Sequence, residues 1–205
     1  GSFEGGNPWR VAIIQGNIPQ AEKWDEKNRS FILETHEKLS RLVSFDEKPD
    51  LIVWPEASFP GYFNIDPDRG RLRRLAEELG IPILVGGPHL EFDGREGERA
   101  FNSAYLVDPE SLQADRYDKV RLVSFGEYVP WRKFFGFFGI DRFADSLGVG
   151  DFHAGSDTKV FAMPEKHAFS VLICFEDTFP QLSRRAAARG AQLLIVMTND
   201  AWFGK

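Results

Sequence analysis

Three polar side chains sit where apolar runs stop. Cys174, the only cysteine of the chain, ends Ser170-Val-Leu-Ile-Cys174 and is followed at once by Phe175-Glu176-Asp177. Glu56 comes directly after Leu51-Ile-Val-Trp-Pro55, and Lys119 lies within Arg116-Tyr-Asp-Lys-Val-Arg-Leu122. Gathered around one carbonyl, these groups make a covalent catalyst. Glu56 would take the thiol proton, Cys174 would attack an acyl carbon, and Lys119 would stabilise the oxyanion that develops. A free thiol titrates near ~8.5, so a neighbouring base and cation are what make it useful at neutral pH. Each residue alone also has a plainer reading. A lone cysteine in an apolar strand is commonly core filler, Glu56 fits a solvated loop acid, and Lys119 among Asp115, Arg116, Asp118 and Arg121 fits a surface charge run. Spacing along the chain does not decide between the two.

The elements that must position these groups alternate in type. Residues 10–15, 50–54, 81–85, 170–174 and 192–196 read as buried strands, being short, β-branched and bounded by breakers. A helix is predicted from about Asn28 to Phe45, with Asn28 as N-cap and Ile32, Leu39, Leu42 and Val43 on its buried face. A second is predicted over 68–79, with Leu72, Leu75, Ala76 and Leu79 inward and Gly80 as its stop. A third follows Pro180 and closes at Gly190. Asp108-Pro-Glu-Ser111 reads as a hairpin turn between 102–107 and 112–117, and Gly86-Gly87-Pro88 as a turn. Helices between buried strands, plus a hairpin, give an α/β layered fold with a mixed sheet. In such folds strand C-termini converge on one edge, where ligands usually bind.

The bulk properties narrow the function. A chain of 205 residues suits one large domain better than two small ones. A net charge of −6 argues against general nucleic-acid binding, which needs a basic face. One cysteine excludes an internal disulfide framework. No apolar run approaches the ~20 residues of a membrane span, and no signal peptide is visible. His36, His89, His153 and His167 are scattered without metal-ligand spacing, so neither a metal nor another cofactor is expected. The chain opens Gly1-Ser2 without Met, as a cloning scar does; residues 1–8 are set aside as tag scar and leader, and 9–205 are taken as the domain. Residues 129–157 are Gly-rich and aromatic, contain Trp131, Phe134, Phe135, Phe137, Phe138 and Ile140 beside Arg132, Lys133 and Arg142, and have no clear period.

The blocks "WPEASFPGYF", "YDKVRLVSFGEYVP", "ICFEDTFP" and "TNDAWFGK" resemble those of the nitrilase (carbon–nitrogen hydrolase) superfamily with its Glu-Lys-Cys triad. The chain is most similar to the apolipoprotein N-acyltransferase branch, through "QGNIPQAEKWDE", "FNSAYLVDP", "SFGEYVP" and "TNDAWFG", spread from about Val11 to Gly204. The resemblance implies a nitrilase-like α-β-β-α sandwich with mixed sheets and Glu56, Lys119 and Cys174 as base, oxyanion-stabilising cation and acylated thiol. It makes Glu127 an accessory acid near Lys119, and Glu176, Phe175 and Asn102 supporting positions, Phe175 without the hydroxyl that a Tyr would bring.

The implied reaction moves an acyl chain from a phospholipid, through a thioester, to the amine of a lipoprotein's N-terminal diacylglyceryl-cysteine. The implied location is the outer, periplasmic face of the bacterial inner membrane. The family anchors this domain with transmembrane helices that this chain lacks, and its members continue past "TNDAWFGK", so the C-terminal part of the fold is expected to be missing and the piece itself soluble. Composition alone favours phenylalanines packed inward in the aromatic segment; in this membrane setting the segment becomes instead an arm that dips into lipid. Two further readings stay open: a soluble amidase or nitrilase that passes the acyl group to water, and a non-catalytic truncated binding domain.

Overall fold

A computed structural model describes residues 8–19, 26–46, 48–94, 97–123, 127, 152–163 and 167–199. Two sheets lie face to face with helices outside. The first sheet has the order β1-β2-β3-β4-β5, formed by Val11–Ile13, Leu51–Val53, Ile83–Asp93, Gly97–Val107 and Asp115–Asp118. β1, β2 and β3 run parallel, while β3/β4 and β4/β5 are antiparallel. The second sheet has the order β6-β7-β8, from Val160–Ala162, Ala168–Ile173 and Leu193–Met197, with β6/β7 antiparallel and β7/β8 parallel. The helices are α1 (Arg29–Asp46), α2 (Arg69–Leu79) and α3 (Pro180–Ala188).

The layering follows from the twofold repeat of strand side chains. Ile52, Trp54, Ile83, Val85, Tyr105 and Val107 face α1 and α2, where Leu33, Leu72, Leu75 and Ala76 complete one core. Their neighbours Leu51, Val53, Leu84, Ala104, Leu106 and Tyr117 face the other way. There they meet Phe161, Phe169, Val171, Ile173 and Met197 of the second sheet. Each such leucine or phenylalanine contributes roughly 1.5–3 kcal/mol on burial. α3 packs on β7 from outside, with Leu182 and Ala186 buried. This is the α-β-β-α sandwich expected from the sequence. Among the described residues no helix is long and apolar enough to cross a membrane.

Several local expectations need correction. Gly86-Gly87-Pro88 is not a turn but the middle of β3. β2 pairs with β3 only at Ile83 and Leu84, so Pro88 lies beyond that ladder and forfeits no bond to it. Leu42 is 60% exposed. The buried face of α1 holds Ile32, as expected, with Leu33, His36, Glu37 and Ser40, and Leu39 and Val43 pack partly buried against the same core; the polar members hid the stripe. Two of them bond within the helix and to Trp54: the indole donates to Ser40 Oγ at 2.9 Å, Ser40 donates to the His36 carbonyl at 2.8 Å, and His36 Nδ1 lies 2.8 Å from the Ile32 carbonyl oxygen. Asn28 closes a short 3-10 turn (Glu26–Asn28) just before α1. α2 ends as predicted, on Gly80 in the left-handed region (φ 62) with its N–H on the Ala76 carbonyl. The arm residues Trp131, Phe134, Phe135, Phe137 and Phe138 lie outside the described residues.

Candidate active site

Strand ends of both sheets deliver polar groups to one edge. After β2 the chain turns at Pro55 and Glu56, with Ala57 in the left-handed region (φ 50). The Ser58 and Phe59 N–H groups both donate to the Gly86 carbonyl at 3.0 Å, which pins this turn onto β3. Gly86 is required by that approach: a Cβ there would lie 2.7 Å from the Pro55 carbonyl oxygen and 2.8 Å from Glu56 Cα. Glu56 is thereby held 8% exposed.

Lys119 is the first residue past β5. Its N–H donates to the Asn102 carbonyl and its own carbonyl accepts from Gly155 N–H, both at 2.8 Å. Its ammonium is 1% exposed, 2.8 Å from Glu127 Oε2 and 3.9 Å from Glu56 Oε1. The Asn102 side-chain amide, on β4, donates to both acids: 2.9 Å to Glu56 Oε1 and 2.7 Å to Glu127 Oε1. Glu127 Oε2 also accepts from Val123 N–H at 2.9 Å. One ammonium and one amide thus hold two carboxylates together, one buried and one largely so.

Cys174 follows β7 as the first residue of a 3-10 turn (Cys174–Thr178) and itself adopts φ 52. A residue with a Cβ pays about 1–2 kcal/mol for that conformation. Burial pushes the thiol above its ordinary pKa and the Glu56 charge adds to this, while Lys119 and a hydrogen bond with the Thr198 side chain pull the other way. Burial likewise raises Glu56, against the opposing pull of Lys119, the Asn102 amide and an Asn199 backbone hydrogen bond. The resting site therefore holds a thiol kept protonated and a carboxylate of more than usual basicity that feel each other's charge.

Glu176 lies beneath the thiol turn with no exposure. It accepts hydrogen bonds from Ile173, Val120 and Arg121 N–H groups and from the Tyr117 hydroxyl. Phe175 is 50% exposed and meets Phe179 edge-on at 5.7 Å; its side chain supplies no polar group, while its backbone hydrogen-bonds the Cys174 thiol and lowers its pKa. The Arg121 guanidinium lies 5.6 Å over the Phe179 ring.

Glu56, Lys119, Cys174, Asn102, Glu127 and Glu176 thus share one edge. Three participants were not singled out from the sequence. Thr198 and Asn199 arrive on the end of β8, beside β7 in parallel register, and lie in the "TND" block. Tyr117 is two residues before Lys119, and nothing in its local spacing marks it. Among the described residues no group of three or more His, Cys, Asp or Glu side chains is arranged to hold a metal ion.

Two face-to-face mixed sheets between helices, with this polar edge, define the nitrilase-like class of α/β proteins. A family model described as carbon-nitrogen hydrolase matches residues 10–205, and the chain belongs to that family. It is 41% identical over 203 residues to an apolipoprotein N-acyltransferase of Geobacter metallireducens, covering 98% of this chain and 38% of that protein. It is 36% identical over 199 residues to one of Allorhizobium ampelinum, covering 95% and 37%. The chain therefore spans little more than a third of these relatives. Among solved structures, the NitN amidase from "Neterenkonia" sp. AN1 superposes with a TM-score of 0.61 at 25% identity, covering 93% of this chain and 67% of that one. A second amidase structure from Nesterenkonia sp. gives 0.62 at 24% identity, covering 93% and 64%.

Proposed function

We propose that this chain is an acyl-transfer domain that takes an acyl chain from a phospholipid onto Cys174 and passes it to the terminal amine of a diacylglyceryl lipoprotein. Cys174 Sγ attacks the ester carbonyl while Glu56 removes the thiol proton. Lys119, steadied by Glu127, stabilises the oxyanion. The carbon–oxygen bond breaks, Glu56 returns the proton to the leaving alkoxide, and a thioester remains. The amine then attacks that thioester, Glu56 takes a proton from nitrogen, and the proton goes to the departing thiolate. The products are an amide and the free thiol.

The single observation behind the chemistry is the shared edge: Glu56 and Lys119 lie 3.9 Å apart, and both act on the charge state of the Cys174 thiol. The choice of acceptor follows the relatives, named for N-acyl transfer and 36–41% identical. On this reading the domain works at the outer face of a bacterial inner membrane, and the aromatic segment around Phe134 and Phe137 is its lipid-contacting arm.

The test is mass spectrometry after incubation with phosphatidylethanolamine vesicles, followed by a peptide with an N-terminal diacylglyceryl-cysteine. An acyl mass on Cys174 that moves to the peptide amine supports the reading. A second reading, an amidase, draws on the amidase structures that share the fold. Turnover of small amides with no transferable adduct would replace the first reading with the second.

A further inference from the structure

Lys119 and Cys174 come from different sheets, the lysine past β5 and the cysteine past β7. Their mutual placement therefore depends on how the two sheets are held against each other. The core between them is apolar, and apolar contact sets a spacing but no register, because it is non-directional. Directional contacts between the sheets include the Lys159–Asp115 ion pair at 2.7 Å and the Asn199 backbone bond to Glu56, and the one that joins the Cys174 strand to the Lys119 segment is a carboxylate. Glu176 Oε2 accepts from Ile173 N–H at 2.8 Å, on the nucleophile's own strand. Its Oε1 accepts from Val120 and Arg121 N–H at 2.7 and 2.9 Å, on the segment leaving Lys119. The Tyr117 hydroxyl, from the other side of Lys119, sits 2.9 and 2.8 Å from the two oxygens.

The backbone donors hold both oxygens, two on Oε1 from the Lys119 segment and one on Oε2 from β7. Tyr117 adds a side-chain donor shared between the two oxygens, and ties the carboxylate to the middle of β5, opposite Ala104 of β4. It is 1% exposed and is the one side chain bonded to Glu176 among the described residues. Burial, and then the Glu176 charge, keep its hydroxyl protonated far beyond the ordinary phenol range, so it is a permanent donor.

We propose that Tyr117 is a positioning residue of this site, its hydroxyl on Glu176 fixing the Cys174 turn of one sheet at the height of the Lys119 ammonium of the other. This rests on Cys174 acting as the acyl-accepting nucleophile. It predicts which step suffers when the link is cut. Attack on an ester needs thiol and ammonium at the same carbonyl, whereas alkylation of the thiol by iodoacetamide forms no oxyanion and feels Lys119 only through the thiol's charge state, which the pH series reads separately.

The experiment compares the unaltered chain with Tyr117→Phe, Glu176→Gln and the double variant. Each is assayed for Cys174 acylation by p-nitrophenyl octanoate and for Cys174 alkylation by iodoacetamide across pH. Tyr117→Phe keeps the ring and removes only the hydroxyl. It is expected to slow acylation roughly 10–100-fold, the size of effect that follows a small misplacement of reacting groups, while alkylation stays near that of the unaltered chain. In the Glu176→Gln background the same change should add less than about twofold, since both act through one link. Unchanged acylation in Tyr117→Phe overturns the proposal. So does a parallel fall of acylation and alkylation, which would mean general loosening, or full additivity with Glu176→Gln. If the unaltered chain forms no acyl adduct on Cys174, the transfer reading itself fails, and this proposal with it.

Discussion

Replacing Lys119 by methionine leaves Glu56 and Glu127 facing each other across the Asn102 amide. In the native site the ammonium lies 3.9 Å from Glu56 and 2.8 Å from Glu127. At an effective dielectric constant of about 20 these separations correspond to attractions of about 4 and about 6 kcal/mol. Much of this is offset by the cost of burying the ammonium, so the net loss expected at neutral pH is the ~3–5 kcal/mol typical of a broken buried pair. The sign with pH follows from proton counting. Burial already holds the Glu56 pKa above its ordinary value, and loss of the cation raises it further. Over the window between the unfolded carboxylate pKa, about 4.3, and the raised folded value, the folded state binds more protons than the unfolded state, so stability falls as pH rises. Urea unfolding at about pH 5 and about pH 8 reads this directly. The variant should lose several times more stability at the higher pH, because protonation relieves the unpaired buried charge at the lower one. An equal loss at both pH values would refute the view that Lys119 is the charge partner of this carboxylate pair.

Glu56→Gln should cut Cys174 acylation by about 10²–10⁴-fold, the loss of a general base, while moving the midpoint of iodoacetamide alkylation to lower pH because the charge that raises the thiol is gone; pH-resolved mass spectrometry checks both. Gly86→Ala should cost about 1–3 kcal/mol in thermal or urea unfolding, and should also slow acylation, since the new methyl presses on the Pro55–Glu56 backbone. At the φ 52 position, Cys174→Gly should be about 1 kcal/mol more stable than Cys174→Ala by urea unfolding; the reverse order would show that the turn carries no strain. Phe134→Ser with Phe137→Ser should lower partitioning into anionic lipid vesicles in a sedimentation assay, and unchanged partitioning would remove the lipid-contacting role of that segment.

The residues that end apolar runs were legible because strand periodicity is local. Alternation in Leu51-Ile-Val and Ala168-Phe-Ser-Val-Leu-Ile173 assigns each side chain to a face without knowledge of the partner strand. Helix ends at Gly80 and Pro180 were legible for the same reason, since a left-handed stop and a first-turn proline are properties of single residues. The blocks around Glu56, Lys119 and Cys174 carried the family resemblance, and with it the expected sandwich.

Tertiary structure decided the rest. Gly86-Gly87-Pro88 reads as a turn until another segment, the Pro55–Phe59 loop, packs on it and makes the glycines a landing surface within a strand. Leu42 fits an apolar stripe on paper, but α1 turns His36 and Ser40 inward because Trp54 of the neighbouring sheet meets them there. Tyr117, Thr198 and Asn199 belong to the site only through contacts made across layers. Periodicity states which way a side chain points; it is silent on what stands opposite, because that depends on strands brought together from distant parts of the chain.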